Sequence, residues 1–151
     1  MAGNSNSSPR QYVQWRVLSI CPNQTLSKDL GTMIAENLPF APFADIKEYP
    51  ARIDLAEMVP AQKPNIAFVD VSTNEEWAAS IVSDLSSIDP KLVIVAVHSA
   101  NNPDFILRCM RMGSTEFLLQ PITEGQLTEV LDRVSITLRN GRGSGTMAKV
   151  V

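Results

Sequence analysis

Two short runs constrain this chain more than anything else in it. Ile66-Ala67-Phe68-Val69, preceded by Asn65 and closed by Asp70, and Leu92-Val93-Ile94-Val95-Ala96-Val97 are continuously apolar and rich in β-branched residues. A strand with one face in water alternates polar and apolar side chains. A run without alternation needs cover on both faces, which is the situation of a central strand in a parallel sheet. Between the two runs, Asn74 stands ahead of Ala78, Ile81, Val82 and Leu85, which recur at helical spacing. Strand, helix and strand in that order form one parallel crossover, which is right-handed.

The rest of the chain repeats the unit. Arg16-Val17-Leu18-Ser19-Ile20 reads as a first strand, ended by Pro22 and Asn23. Thr25 or Ser27 is placed to cap a helix carrying Leu26, Leu30, Met33, Ile34 and Leu38, which Pro39 and Pro42 end. A weak strand follows from Phe43 to Tyr49. A short helix with Ile53, Leu55, Ala56 and Val59 is expected to stop at Pro60. After the second apolar run, Pro103 suits the first turn of a helix whose apolar side carries Ile106, Leu107, Met110 and Cys109, and Gly113 is its C-cap. Glu116-Phe117-Leu118-Leu119 is a last short strand. Leu127, Val130, Leu131, Val134 and Leu138 stripe a final helix that Gly141 is expected to close. Five β-α units predict an α/β, doubly wound parallel sheet with helices on both faces.

In such a sheet, ligands sit beyond the carboxyl ends of the strands at the topological switch point. That rule directs attention to Cys21, Pro22 and Asn23, to Asp70, to His98 and Ser99, and to Gln120 and Pro121. Asp70 is the carboxylate at a strand end. It can also be read as a cap that accepts N–H bonds from the loop behind it. Cys21 reads as a small buried hydrophobe, and His98 as a strand-end polar residue.

Composition narrows the function classes. The chain has 151 residues, 44% hydrophobic and 19% charged, with net charge −3. A nucleic-acid binder normally carries a basic patch, which argues against nucleic acid as a partner. No apolar run approaches the ~20 residues of a membrane span, so direct membrane insertion is not expected. Met1 to Gln11 lacks the apolar core of a secretory signal. Residues 1–14 read as a disordered leader, and the expected location is the cytoplasm. Cys21 and Cys109, the two cysteines, read as reduced thiols. One histidine and two isolated cysteines are too few ligands for zinc.

Three stretches carry a resemblance. Pro64 to Asp70 is similar to the third strand of response-regulator receiver domains, which ends in the phosphorylated aspartate. Arg111-Met112-Gly113, followed by Phe117-Leu118-Leu119-Gln120-Pro121-Ile122, resembles the stretch in which a glycine closes the fourth helix and a strand leads to a Lys-Pro pair. The resemblance spans roughly residues 16–139. It implies a CheY-like, flavodoxin-like sheet of order 2-1-3-4-5 with about five helices. It implies phosphoryl transfer to Asp70, aided by two acids that hold Mg²⁺, a lysine that pairs with the phosphate, and a Ser or Thr that hydrogen-bonds it.

Carried over position by position, most of that machinery is missing. The acid pair falls on Cys21 and Pro22, a thiol and a residue with no side-chain ligand, leaving Asn23 to offer one neutral oxygen. The lysine falls on Gln120. The hydroxyl falls on Ser99, or on His98 if no residue is missing in the next loop. The aromatic switch position falls on Phe117. The Gln120-Pro121 bond is often cis in the family. A carboxylate–Mg²⁺ contact and a lysine–phosphate contact are charge-assisted. Losing both costs on the order of a thousandfold in rate. The expectation is therefore a vestigial phosphoacceptor and no metal or other cofactor.

Residues 15–140 make the receiver-like domain on this reading, and residues 141–151 a linker with the start of a cut-short following segment. Arg142-Gly143-Ser144-Gly145-Thr146 is not a phosphate loop, because it follows a helix and contains no lysine. With Lys149-Val150-Val151 behind it, the tail resembles the CpaE/TadZ pilus-assembly group, in which an atypical receiver precedes a MinD/ParA-like ATPase. The resulting expectation is a non-enzymatic pseudo-receiver that binds protein partners and dimerises through its helix 4–strand 5–helix 5 face, where Met112 and Ile136 lie off the apolar stripes. The alternative is a phosphorelay receiver that still accepts phosphate on Asp70, with Mg²⁺. A nucleotide binder is disfavoured, because Cys21-Pro22-Asn23-Gln24 contains no glycine.

Overall fold

The computed structural model describes residues 9–147, with side chains as far as residue 140. Its five strands are β1 (Val17–Ile20), β2 (Phe43–Ile46), β3 (Ile66–Asp70), β4 (Val93–His98) and β5 (Glu116–Leu119). All pairs are parallel, and the order is β2-β1-β3-β4-β5. The helices are α1 (Gln24–Asn37), α2 (Arg52–Gln62), α3 (Glu75–Ile88), α4 (Pro103–Met112) and α5 (Glu124–Met147). This is the doubly wound arrangement that the five β-α units imply.

Every residue of β3 and β4 is buried, because the sheet is covered on both sides. The two-residue period of a strand divides the core. Leu18, Ile20, Ala67, Val69, Ile94 and Ala96 share one cluster with Leu55 of α2, Leu85 of α3 and Phe105 of α4. Val17, Ile66, Phe68, Val93, Val95 and Val97 share the other with Leu30 of α1 and Leu131 of α5. Cys21 belongs to the second cluster and Cys109 to the first. The sheet stands between these two free thiols.

Several local expectations are corrected. The cap of α1 is Asn23, whose side chain accepts from the Leu26 N–H at 2.9 Å; Ser27, one of the expected caps, is buried inside the helix. Helix α2 passes through Pro60 and ends at Gln62. Pro60 and Ala56 are both exposed, so the carbonyl that loses its donor is open to water. On α4 the buried pair is Phe105 and Cys109, spaced i and i+4. Leu107 and Met110, expected inside, are half exposed. The charged residues of α4, Asp104, Arg108 and Arg111, share one side, and the apolar arc opposite is wide; its buried edge is the one where Phe105 meets the His98 ring edge-on, with centroids 5.4 Å apart. Met112, expected on the surface, packs partly against the first cluster.

The chain ends differ too. Residues 9–14 are not a loose leader: Pro9–Tyr12 forms a 3-10 turn packed against α5, and Val13 joins the second cluster. Helix α5 runs to Met147, so Gly141 does not close it. The expected strand start at Lys149 to Val151 lies outside the described residues.

Gly113 ends α4 as expected, and two facts require glycine there. Its φ is +129°, and a Cβ would lie 2.5 Å from the Cβ and Oγ of Ser86 on α3. Gly113→Ala should lower stability by about 2–4 kcal/mol, combining left-handed strain with a steric clash. Urea denaturation measures this, and a loss below about 0.5 kcal/mol would contradict the packing of α4 on α3 described above.

Candidate functional site at the carboxyl edge of the sheet

Parallel strands deliver their last residues to one edge, so Cys21, Asp70, His98 and Gln120 arrive together without being near in sequence. Asp70 is the last residue of β3, lies opposite Val97 of β4 and is 1% exposed. Its carboxylate is held by its own loop. One oxygen accepts the Ser72 N–H at 2.9 Å and the Ser72 hydroxyl at 2.8 Å. The other accepts the Thr73 hydroxyl at 2.6 Å and lies 3.9 Å from the Cys21 thiol, which is shared with the nearer Asn23 carbonyl at 3.4 Å. The Asp70 carbonyl takes the Tyr49 hydroxyl at 2.5 Å. The Asp-x-Ser spacing is that of an Asx turn, in which a short side chain replaces a backbone acceptor.

The groups around this carboxylate are neutral donors. Burial, and then the Asp70 charge, push the Cys21 thiol up to about 12. The same two causes, in the same order, raise the Tyr49 phenol above its ordinary value. A thiol held protonated donates a weak hydrogen bond and does not ligate a hard cation.

The donor set does not fit the Mg²⁺ that receiver chemistry uses. Asp70 is already surrounded, Pro22 offers no ligand, and the Asn23 side-chain oxygen is committed to the α1 cap. Among the described residues no cluster of three His, Cys, Asp or Glu side chains could hold a metal. No step through a metal is drawn for this site.

The remaining candidates divide. Gln120 is half buried; its backbone N–H bonds to the His98 carbonyl at 2.9 Å, and the Gln120-Pro121 bond is cis. Ser99 is exposed just beyond β4, while His98 is the buried last residue of that strand. The His98 Nδ1 accepts the Ala100 N–H at 2.9 Å, and its Nε2 lies 2.8 Å from a Glu75 oxygen. This places the ring proton on Nε2, donating to Glu75, and leaves no free nitrogen for base chemistry. Phe117 packs partly against the first cluster. Sequence reasoning did not single out Tyr49, Ser72, Thr73 or Glu75. The Asp-x-Ser-Thr spacing was available as a signal for two of them. Tyr49 and Glu75 reach the site only through the crossovers that carry them there.

No family model matches the chain. Over 73 residues it is 22% identical to the chemotaxis protein CheY of Thermotoga maritima, a match covering 48% of this chain and 61% of that protein, so less than two thirds of the relative is spanned. Solved structures are similar throughout. A CheY-like protein, TadZ, of Pseudomonas aeruginosa matches with TM-score 0.69 and 16% identity over 82% of this chain and 94% of that one. CpaE of Burkholderia thailandensis gives 0.68 and 15% over 80% and 98%. The receiver domain of a DNA-binding response regulator from Colwellia psychrerythraea gives 0.67 and 16% over 80% and 97%. The fold is that of CheY-like receiver domains, CpaE and TadZ among them.

Two measurements follow from the geometry. Removing a carboxylate from a cluster of acids relieves repulsion; here it would remove the acceptor that three donors of the turn behind β3 share. Asp70→Ala should therefore destabilise the domain, by about 1–3 kcal/mol, as read from the urea midpoint. A stabilised variant would show that repulsion dominates at this edge. The thiol shifts carry a sign as well. Cys21 is raised to about 12 and Cys109 to about 11, from 9.0. Their neutral forms are favoured by folding, so this contribution is complete below pH 9 and is lost as pH rises through the folded values. Stability should decline above about pH 9, less steeply in Cys21→Ala. Neither thiol should react with iodoacetamide at pH 8 until the chain unfolds.

Proposed function

We propose that this chain is a pseudo-receiver: a bacterial, cytoplasmic module without enzymatic activity of its own, whose work is contact with protein partners. The observation that carries the proposal is the state of Asp70. Its carboxylate is buried and bound by Ser72, Thr73 and Cys21, and the positions that would supply metal ligands and a cation hold Cys21, Pro22 and Gln120. A phosphoryl group arriving here would have to break the turn behind β3. It would then find no compensating charge at those positions.

The contact surface fits the face formed by α4, β5 and α5. Leu107 and Met110 on α4 and Ile136 on α5 are each about half exposed, and β5 is tied to α5 by Arg133 to Glu116 at 2.9 Å. Exposed apolar side chains on a rigid support suit a homodimer. The likeness to CpaE and TadZ supports a role beside a pilus-assembly or localisation ATPase. The net charge of −3 argues against nucleic acid, and among the described residues no helix is long and apolar enough to cross a membrane.

Incubation with acetyl phosphate and Mg²⁺, followed by intact mass measurement, should yield no phosphoryl adduct. An adduct that disappears in Asp70→Asn would establish the other reading, a phosphorelay receiver that still uses Asp70. Sedimentation equilibrium should show a dimer, weakened about tenfold or more by Leu107→Asp or Ile136→Asp. A strictly monomeric chain at high concentration would overturn the dimer.

A further inference from the structure

The opposite end of the sheet carries a cleft of about 740 Å³ that the receiver chemistry does not involve. It is built where the chain enters β1 and β2, away from Asp70. Its floor is the rim of the second core cluster, where Trp15 and Leu38 are nearly buried and Val13 is packed. Its lip is Phe40, which is 96% exposed.

Phe40 is displayed on a rigid turn. The Leu38 N–H closes α1 onto the Ile34 carbonyl at 2.7 Å, and the Ala41 N–H returns to the Leu38 carbonyl at 3.2 Å. Pro39 occupies the second position of that turn, where its fixed φ belongs. Pro42 follows and accepts the Val17 N–H at 2.9 Å, which anchors the turn to the sheet. The two prolines and three backbone bonds fix the backbone that carries Phe40, so little backbone freedom is lost on binding. Rigid aromatic anchors beside an apolar pocket are what binding hot spots are made of.

The charge of the cleft selects the occupant. Among the described residues that line it there are two arginines, Arg10 and Arg16, and no carboxylate, in a chain of net charge −3. Arg10 is shared with Asn37 at 3.4 Å and with Asp132 at 3.8 Å, and Asn37 donates to Glu124 at 3.2 Å, so the cationic group the cleft offers is Arg16. Arg16 is exposed and donates from Nε to the Gln62 carbonyl at 2.9 Å; no acidic side chain pairs with it among the described residues. Its terminal nitrogens have the fork geometry that takes a carboxylate.

We infer that this cleft docks an acidic peptide segment of a protein partner, with an apolar side chain seated beside Phe40 over Trp15 and Leu38 and a carboxylate on Arg16. The inference rests on the cleft and not on the state of Asp70. It places a second contact surface where the chain enters β1 and β2, bordering α5 but made of other residues than Leu107, Met110 and Ile136.

A phage-displayed random peptide library, selected on the full 151-residue chain, tests it. Enriched peptides should carry net negative charge and at least one large apolar residue. Resynthesised, they should bind Phe40→Ala and Arg16→Gln about tenfold or more weakly and Ile53→Ser, at an exposed position of α2 outside the cleft, as well as wild type, and added salt should weaken them. Phe40 and Arg16 are exposed, and unchanged thermal unfolding of the variants confirms that they fold. Failure to enrich acidic-apolar sequences, or enriched peptides indifferent to Phe40 and Arg16, overturns the inference. Self-association that Phe40→Ala abolishes overturns it in favour of a second copy. A phosphoryl adduct on Asp70 would leave this inference standing while removing the pseudo-receiver reading, so the two fail separately.

Discussion

The burial of β3 and β4 on both faces is the constraint on which everything else rests. Their ten core side chains from Ile66 to Val69 and from Val93 to His98 leave no polar alternation that water could satisfy. Layers of helix are therefore needed on each side, and the crossovers between parallel strands supply them. Once the strands run parallel, their last residues share one edge and their first residues the other. The domain thus has two chemically distinct ends, one centred on Asp70 and the other on Phe40.

At the Asp70 end the physics is that of a carboxylate in a neutral surround. A receiver that takes phosphate keeps several acids close together and balances them with metal and lysine. In this chain a thiol and a proline, Cys21 and Pro22, follow β1, and the Asp70 carboxylate is the acceptor of the loop that follows it. Ser72 and Thr73 bind it in the positions incoming ligands would need. Cys21 and Tyr49, both raised by burial and by the Asp70 charge, contribute hydrogens rather than charge. A buried carboxylate paired in this way is a structural joint, tying the end of β3 to the start of α3 and, through Tyr49, to the crossover after β2.

Legibility in the sequence followed the range of the interactions. The five strands, their order along the chain and the glycine that ends α4 were readable, because each depends on a pattern a few residues long. The Asp70 turn was readable in part, since Asp-x-Ser-Thr is local. The inward edge of α4 was not, because its apolar arc is wide and the burial of Phe105 goes with the His98 ring it meets across the fold. The fate of Pro60 was misread for a similar reason. Whether a helix survives a proline turns on whether the released carbonyl faces water. The packing of residues 9–14 on α5 depends on partners more than a hundred residues away.

What the sequence alone determined is the class of the fold and the residues that stand at the ends of its strands, because both follow from residue identity: apolar runs demand burial, and Pro22 and Gln120 carry no charge. Only the tertiary structure decided that Asp70 is held by Ser72, Thr73, Cys21 and Tyr49, that both nitrogens of His98 are occupied, and that Phe40 stands clear of the surface beside an arginine-lined cleft. Those facts join residues from different crossovers. Their energies are set by distance and burial, which exist only once the chain has folded.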